Sequence, residues 1–383
     1  MDLRTAPSPS REPSRIICEM RNLLLAGACA ALFASCDASP SRPHTSRPPA
    51  PAPVTQADAV IKEAWISTPV AADELDSVAA WPTEDGHVWL IATAKSSHRL
   101  AVYDADSGQR LRTFGERGQA PGQFNRPNGI AVFGDLLFVA ERDNHRVQVL
   151  QLPTFTPLAI LGEHELKVPY GLWLEEVGPD QLDLLVTDSF MADFRTGQLP
   201  PMDQLDQRVK RFRVSRDAQG AVHAKLSGSF GATDAHGALR MVESIAGVPA
   251  HDRLLIADED RRVGSTLRDY SLSGAYRQFS LPAFDADAEG VALWACSDQS
   301  GYWIAVDQLS PTLFRVFDRA SLAPRGIFRG EQVANTDGET LYAAATPRFP
   351  NGALFVLHND QSLAAFDLRD VASALKLGNH CVP

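Results

Sequence analysis

The 383-residue chain is short of several things, and each shortage narrows what it can do. Its five cysteines form no Cys-x-x-Cys pair, and no His-Glu-x-x-His occurs. Ligands at zinc spacing are therefore missing, which disfavours a structural or catalytic zinc site. No Gly-x-Ser-x-Gly elbow marks a serine nucleophile. No apolar run reaches the roughly 20 residues that span a bilayer. From Lys62 onward few stretches repeat with a helical period. Cations are outnumbered, with 36 Lys and Arg against 47 Asp and Glu and a net charge of -11. Phosphate backbones need a basic face, so no nucleic-acid partner is expected. The acidic balance suits a protein that holds cations instead.

What is present begins with a leader. Residues 1–19 are polar, and Met20 is the expected true start. Arg21 and Asn22 precede an apolar stretch from Leu23 to Ala34, and Phe33-Ala34-Ser35-Cys36 resembles a lipobox. The expectation is an exported cell-envelope lipoprotein, on the periplasmic side or in the outer membrane. Its leader is residues 1–35, and its membrane anchor is a lipid on Cys36. An ordinary signal peptide cleaved near Ala34, or a membrane segment, is the alternative. Losing residues 1–35 removes four Arg against one Asp and two Glu, so the net charge moves from -11 to -12. Residues 36–58 form a linker, with Pro40, Pro43, Pro48, Pro49, Pro51 and Pro53 holding it near polyproline II. Past the leader, Cys296 and Cys381 remain for one disulfide or for two isolated buried thiols.

Residues 59–383 carry a repeat. An apolar strand leads through a turn to a stronger apolar strand, then to a strand of the Val-Tyr-Asp type. Ser77–Trp81, His87–Ala92 and Leu100–Asp104 make one such unit, and Glu289–Leu293, Tyr302–Val306 and Phe314–Asp318 another. Six units recur about every 40–50 residues, a spacing typical of propeller blades. The third carries an insertion from Ser189 to Gln207. The expected fold is all-β, a six-bladed β-propeller in one domain and a monomer. The last unit lacks an outer strand, and Ala64-Trp65-Ile66-Ser67 is expected to supply it and close the ring. A pair of sandwiches is the competing architecture, but it does not explain the repeat.

Antiparallel strands put the start of each first strand and the end of each second strand on one face. Asp76, Glu243, Asp287, Glu289, Glu331 and Asp337 fall before or at first strands. Lys95, Arg142 and the run Asp258-Glu259-Asp260 follow second strands. Carboxylates gathered in this way repel one another unless a cation sits among them. Hard oxygen ligands favour Ca²⁺, and the two basic residues would face an anion.

These residues also carry a family likeness. Asp76-Ser77-Val78-Ala79-Ala80-Trp81, Thr93-Ala94-Lys95-Ser96, Tyr170-Gly171, Asp287-Ala288-Glu289-Gly290 and Thr336-Asp337-Gly338 resemble segments of the β-propeller phytases. Those are calcium-dependent phosphatases of inositol hexakisphosphate. The resemblance implies several calcium ions bound by Asp76, Glu243, Glu259, Asp287, Glu289, Glu331 and Asp337. It implies phosphate contacts from Lys95, Arg142 and Tyr170. The implied catalytic set is Asp287, Glu289, Glu243, Lys95, Arg142 and Tyr170, with inositol phosphates as substrates. The chain departs from the pattern at Ser77, where the family has Asp, at Ser189, where a basic residue is expected, and near Pro69, where a Glu is missing. A second likeness, Gly118–Val132 with Asp143–Val147, is to an NHL repeat. It implies the alternative function, a non-catalytic envelope propeller that binds a protein or glycan partner.

Overall fold

The computed structural model describes residues 55–296, 299–378 and 381. The leader, Cys36 and the linker up to residue 54 lie outside the described residues.

Apolar and β-branched residues alternate over short spans from Ala59 onward, and these spans form six sheets. The inner strands, in chain order, are Leu75–Pro82, Pro127–Phe133, Pro169–Gly178, Val242–Val248, Ala288–Ala295 and Glu339–Tyr342. They define blades 1 to 6. Each packs on the next, and blade 6 returns to blade 1, so the ring is closed. A blade hides its apolar faces only against its neighbours, and each apolar cluster is accordingly shared by two adjacent blades. The six-bladed propeller expected from the repeat is the fold observed.

Closure follows the expected route. Trp65 and Ile66 pair antiparallel with Ala365 and Ala364, giving blade 6 its outer strand. Trp65 is buried, stacks on Phe355 at 5.9 Å and donates its indole N–H to Ala105 O at 3.1 Å. One further strand was not legible. Ala59–Ile61 pairs parallel with Phe328–Gly330, so blade 5 has five strands. A strand added across such sequence distance leaves no local pattern. The open alternative at the cysteines resolves to a disulfide, which ties Cys381 to the turn after the inner strand of blade 5.

One irregularity recurs at the same point. Near the start of the inner strand, two residues oppose one on the second strand. The bulged pairs are Asp76-Ser77, Asn128-Gly129, Tyr170-Gly171, Glu243-Ser244 and Glu289-Gly290. Asp337-Gly338 holds the same place in blade 6, where Leu357 N–H donates to Gly338 O. The second residue is Gly in four of the six pairs, and for Gly129 and Gly171 the reason is steric. A Cβ on Gly129 would run into Tyr170 O, and one on Gly171 would sit 2.5 Å from Glu243 O. The backbone of the next blade occupies that space.

The Gly129→Ala variant should therefore lose about 1–3 kcal/mol of stability. Gly228→Ala, where a Cβ would meet nothing within 4 Å, should stay within about 0.5 kcal/mol. Urea titration of both variants checks this; equal losses would refute the inter-blade contact as the cause.

Candidate functional site

The first residue of each bulged pair is turned toward one mouth of the central channel, because a bulge re-aims the strand. This ring reads Asp76, Asn128, Tyr170, Glu243, Glu289, Asp337. Backbone bonds between blades set its spacing. Thr93 Oγ1 accepts from Ser77 N at 3.0 Å and donates to Asn128 O at 2.6 Å. Thr187 Oγ1 accepts from Gly171 N and donates to Glu243 O, both at 2.7 Å. Gly290 N donates directly to Asp337 O at 3.0 Å.

A second set stands one residue beyond the second strands: Lys95, Arg142, Ser189, Glu259 and Gln308. Each donates its backbone N–H to the carbonyl just ahead of its own blade's inner strand, at 2.9–3.0 Å. The residue before each is often an acid with a structural task. Glu141, Asp188, Asp258 and Asp307 accept backbone N–H groups from the preceding loop. Asp258 also pairs with Arg268 at 2.9 Å. Asp260 is buried and bound by Arg262 at 2.6 Å. Of the run Asp258-Glu259-Asp260, only Glu259 reaches the mouth.

Three carboxylates meet there. Glu243, Glu259 and Glu289 offer oxygens that all lie within 4.8 Å of one another. Two oxygens each 2.3–2.6 Å from one calcium ion span about that distance, and an all-oxygen donor set suits calcium. The residues therefore fit the metal that the phytase resemblance implies. Their titration reflects the crowding. Burial, then repulsion from Glu289, raises Glu243 well above the carboxylate range. Burial, then Glu243, does the same for Glu259, and burial, then Glu259, for Glu289.

The basic residues hold different positions. Lys95 Nζ lies 2.9 Å from Asp76 and 3.2 Å from Asp337. Burial would pull its ammonium down, but these two carboxylates hold it well above the ordinary lysine range. Burial pushes Asp337 up to about 7, against the pull of Lys95 and with the push of Asp76. Gln308 Nε2 donates to the other Asp337 oxygen. Arg142 donates to Asp143 at 2.7 Å, and burial, then Glu243, pushes the Tyr170 phenol up against the pull of the Arg142 charge. The insertion after Ser189 brings Phe194 against Arg142, with 5.7 Å from guanidinium to ring centre. Arg262 of blade 4 holds the insertion through Gly197 O at 3.1 Å.

Four expected ligands stand outside the three-carboxylate group: Asp76 and Asp337, which hold Lys95, and Asp287 and Glu331. Asp287 lies just ahead of its strand, with its carboxylate gripped by Arg261 at 2.5 and 2.7 Å. Glu331 is exposed in the loop after blade 5. His98 and His145, which lie near this face, bond to the backbone at Arg126 N and Lys167 O. Asn128, Gln308 and Phe194 were missed as site residues. The repeat itself held the signal for Asn128 and Gln308, since they occupy the positions of Asp76 and Lys95 in other blades. Glu339 is a further surprise. It takes the place filled by Val78, Ile130, Leu172, Ile245 and Val291 in the other blades. Both of its oxygens are closed to solvent and unpartnered, and burial raises its pKa well above the usual value.

The fold and this mouth define a six-bladed β-propeller with an acidic ring at one end of its channel. The family model that matches is the NHL repeat, over residues 124–150, which is most of blade 2. No curated protein matches the chain. Solved structures with similarity include hydrazine synthase of Kuenenia stuttgartiensis, at 11% identity and TM-score 0.48, covering 81% of each chain. A nidogen/laminin complex matches at 14% identity and TM-score 0.47, covering 71% of this chain and 87% of that one. The Pan2 WD40 domain of Neurospora crassa matches at 8% and 0.46, covering 78% and 76%.

The carboxylate cluster yields a pH test. Its groups are protonated more readily in the folded, metal-free chain than in the unfolded chain. Between the unfolded Glu value of about 4.3 and the raised folded values, the folded state binds more protons. Their contribution to stability therefore falls as pH rises through that window. With chelator present, Glu259→Gln should flatten this fall relative to the parent chain, and calcium should cancel it. Thermal melts across the window check both. A parent and variant with parallel profiles would argue against a coupled cluster.

Proposed function

We propose that the chain is a calcium-dependent phosphomonoesterase. Phytate, myo-inositol hexakisphosphate, is the substrate that the resemblance implies. The observation that carries this reading is the convergence of Glu243, Glu259 and Glu289 within 4.8 Å on the mouth that also holds Lys95, Arg142 and Tyr170. Bound calcium supplies charge neutralisation, polarisation of a phosphate oxygen and activation of water. The chain's own groups bind and orient the ester. The Arg142 fork matches two phosphate oxygens. Tyr170 keeps its proton and offers it as a hydrogen-bond donor. Asp76 and Asp337 would help hold calcium, and Lys95, which they grip in the structure, would then face phosphate. Ser189 contributes no charge at the position that Lys95 and Arg142 hold in blades 1 and 2.

Export and lipid anchoring at Cys36 belong to the same proposal. The Cys296–Cys381 disulfide supports an oxidising compartment. Among the described residues, no helix is long and apolar enough to cross a membrane. The NHL repeat supports a second reading, a propeller that binds a protein or glycan partner without catalysis.

Phosphate release from phytate, measured with calcium and with EDTA, decides between them. Calcium-stimulated release is expected, and Glu289→Gln should lower it by about 100-fold or more. Folded protein that releases no phosphate with calcium would eliminate the enzyme reading. Asp287→Asn should match Glu289→Gln if calcium draws Asp287 away from Arg261. Unchanged release in that variant would assign Asp287 to its ion pair alone.

A further inference from the structure

One groove lies beside the mouth. It has a volume of about 1030 Å³ and lies over blades 5 and 6. Five carboxamides line it: Gln308, Gln332, Asn335, Asn359 and Gln361. No Lys or Arg lines it, while Glu63 and Asp360 do. An acidic lining without cations does not hold phosphate groups. A carboxamide presents both donors and an acceptor, and a hydroxyl does the same, so amide-lined surfaces suit hydroxyl-rich ligands.

The amides are arranged for binding. The side chains of Gln332 and Gln361 make no hydrogen bond to another described residue, which leaves both free for a ligand. Asn335 Nδ2 donates to Asn359 Oδ1 at 2.8 Å, which fixes the two relative to each other. Both have left-handed backbone, with φ of 47° and 50°. Asn tolerates that conformation better than most residues. Gln308 belongs to the groove and to the ring at once, since its amide donates to Asp337. The groove therefore opens onto the phosphate site at a shared residue.

We infer that this groove takes the uncharged, hydroxyl-bearing part of a phosphorylated saccharide or polyol whose phosphate lies at the ring. The phosphate end rests on the phosphomonoesterase reading; the groove's own ligand chemistry does not. Esters with free hydroxyls are then better ligands than fully phosphorylated ones such as phytate.

The test uses calorimetric titration of the full chain in calcium with three probes: glucose 6-phosphate, phenyl phosphate and neutral maltotriose. Glucose 6-phosphate should bind about tenfold tighter than phenyl phosphate, the gain from one or two hydrogen bonds to its hydroxyls. The double variant Gln332→Ala/Gln361→Ala alters exposed or half-buried side chains only. It should remove most of that preference, leave phenyl phosphate unchanged and weaken maltotriose. Equal affinity for the two esters in the parent chain would overturn the inference. So would equal losses for both esters in the variant, or no binding of either sugar. Sugar binding that depends on Gln332 and Gln361, with no phosphate released from any ester, would uphold the groove and count against the esterase reading alone.

Discussion

The close approach between each blade's bulge and the backbone of the next blade organises this molecule. At Gly129 and Gly171 the neighbour's carbonyl occupies the space a side chain would need. Threonines 93 and 187 complete the contact by bonding both blades at once. These contacts fix the rotation of each inner strand, and the bulge turns its first residue toward the channel. The identity of six residues then decides what the mouth contains. In this chain four of the six are acids, and Glu259 adds a fifth carboxylate from the second set.

That arrangement is costly without a counterion. Buried carboxylates lose hydration and repel one another, and Lys95 compensates two of them, Asp76 and Asp337. The apolar interfaces between blades bear this cost, since they continue below the ring on every side. The rigid frame is what holds these like charges together. Glu339 shows how far the frame goes. It keeps a carboxyl in a position where the other five blades place branched apolar side chains.

Much of this was legible before folding. The period of the repeat showed six blades, and the missing outer strand pointed to Trp65. Five of the six ring residues were recognised, because each opens an apolar strand that reads clearly. Asn128 escaped since it is neutral and sits inside an NHL-like stretch. Asp258 and Asp260 were read as site residues from their charge. In fact they tie a loop to the blade and hold Arg262, a role that depends on where backbone N–H groups end up. Gln308, Phe194 and the fifth strand of blade 5 depend on contacts between distant segments, which no local spacing records.

The sequence by itself determined the blade count, the closing strand and the acidic character of one face. Periodicity and side-chain polarity are local properties, and they survive in the linear order. Which acids meet, and which are spent on loops, was decided only by the tertiary structure. Glu243 and Glu259 share blade 4 and Glu289 comes from blade 5, and nothing along the chain shows that they converge within 4.8 Å. Convergence follows from ring closure and bulge register, and both are fixed by packing between blades.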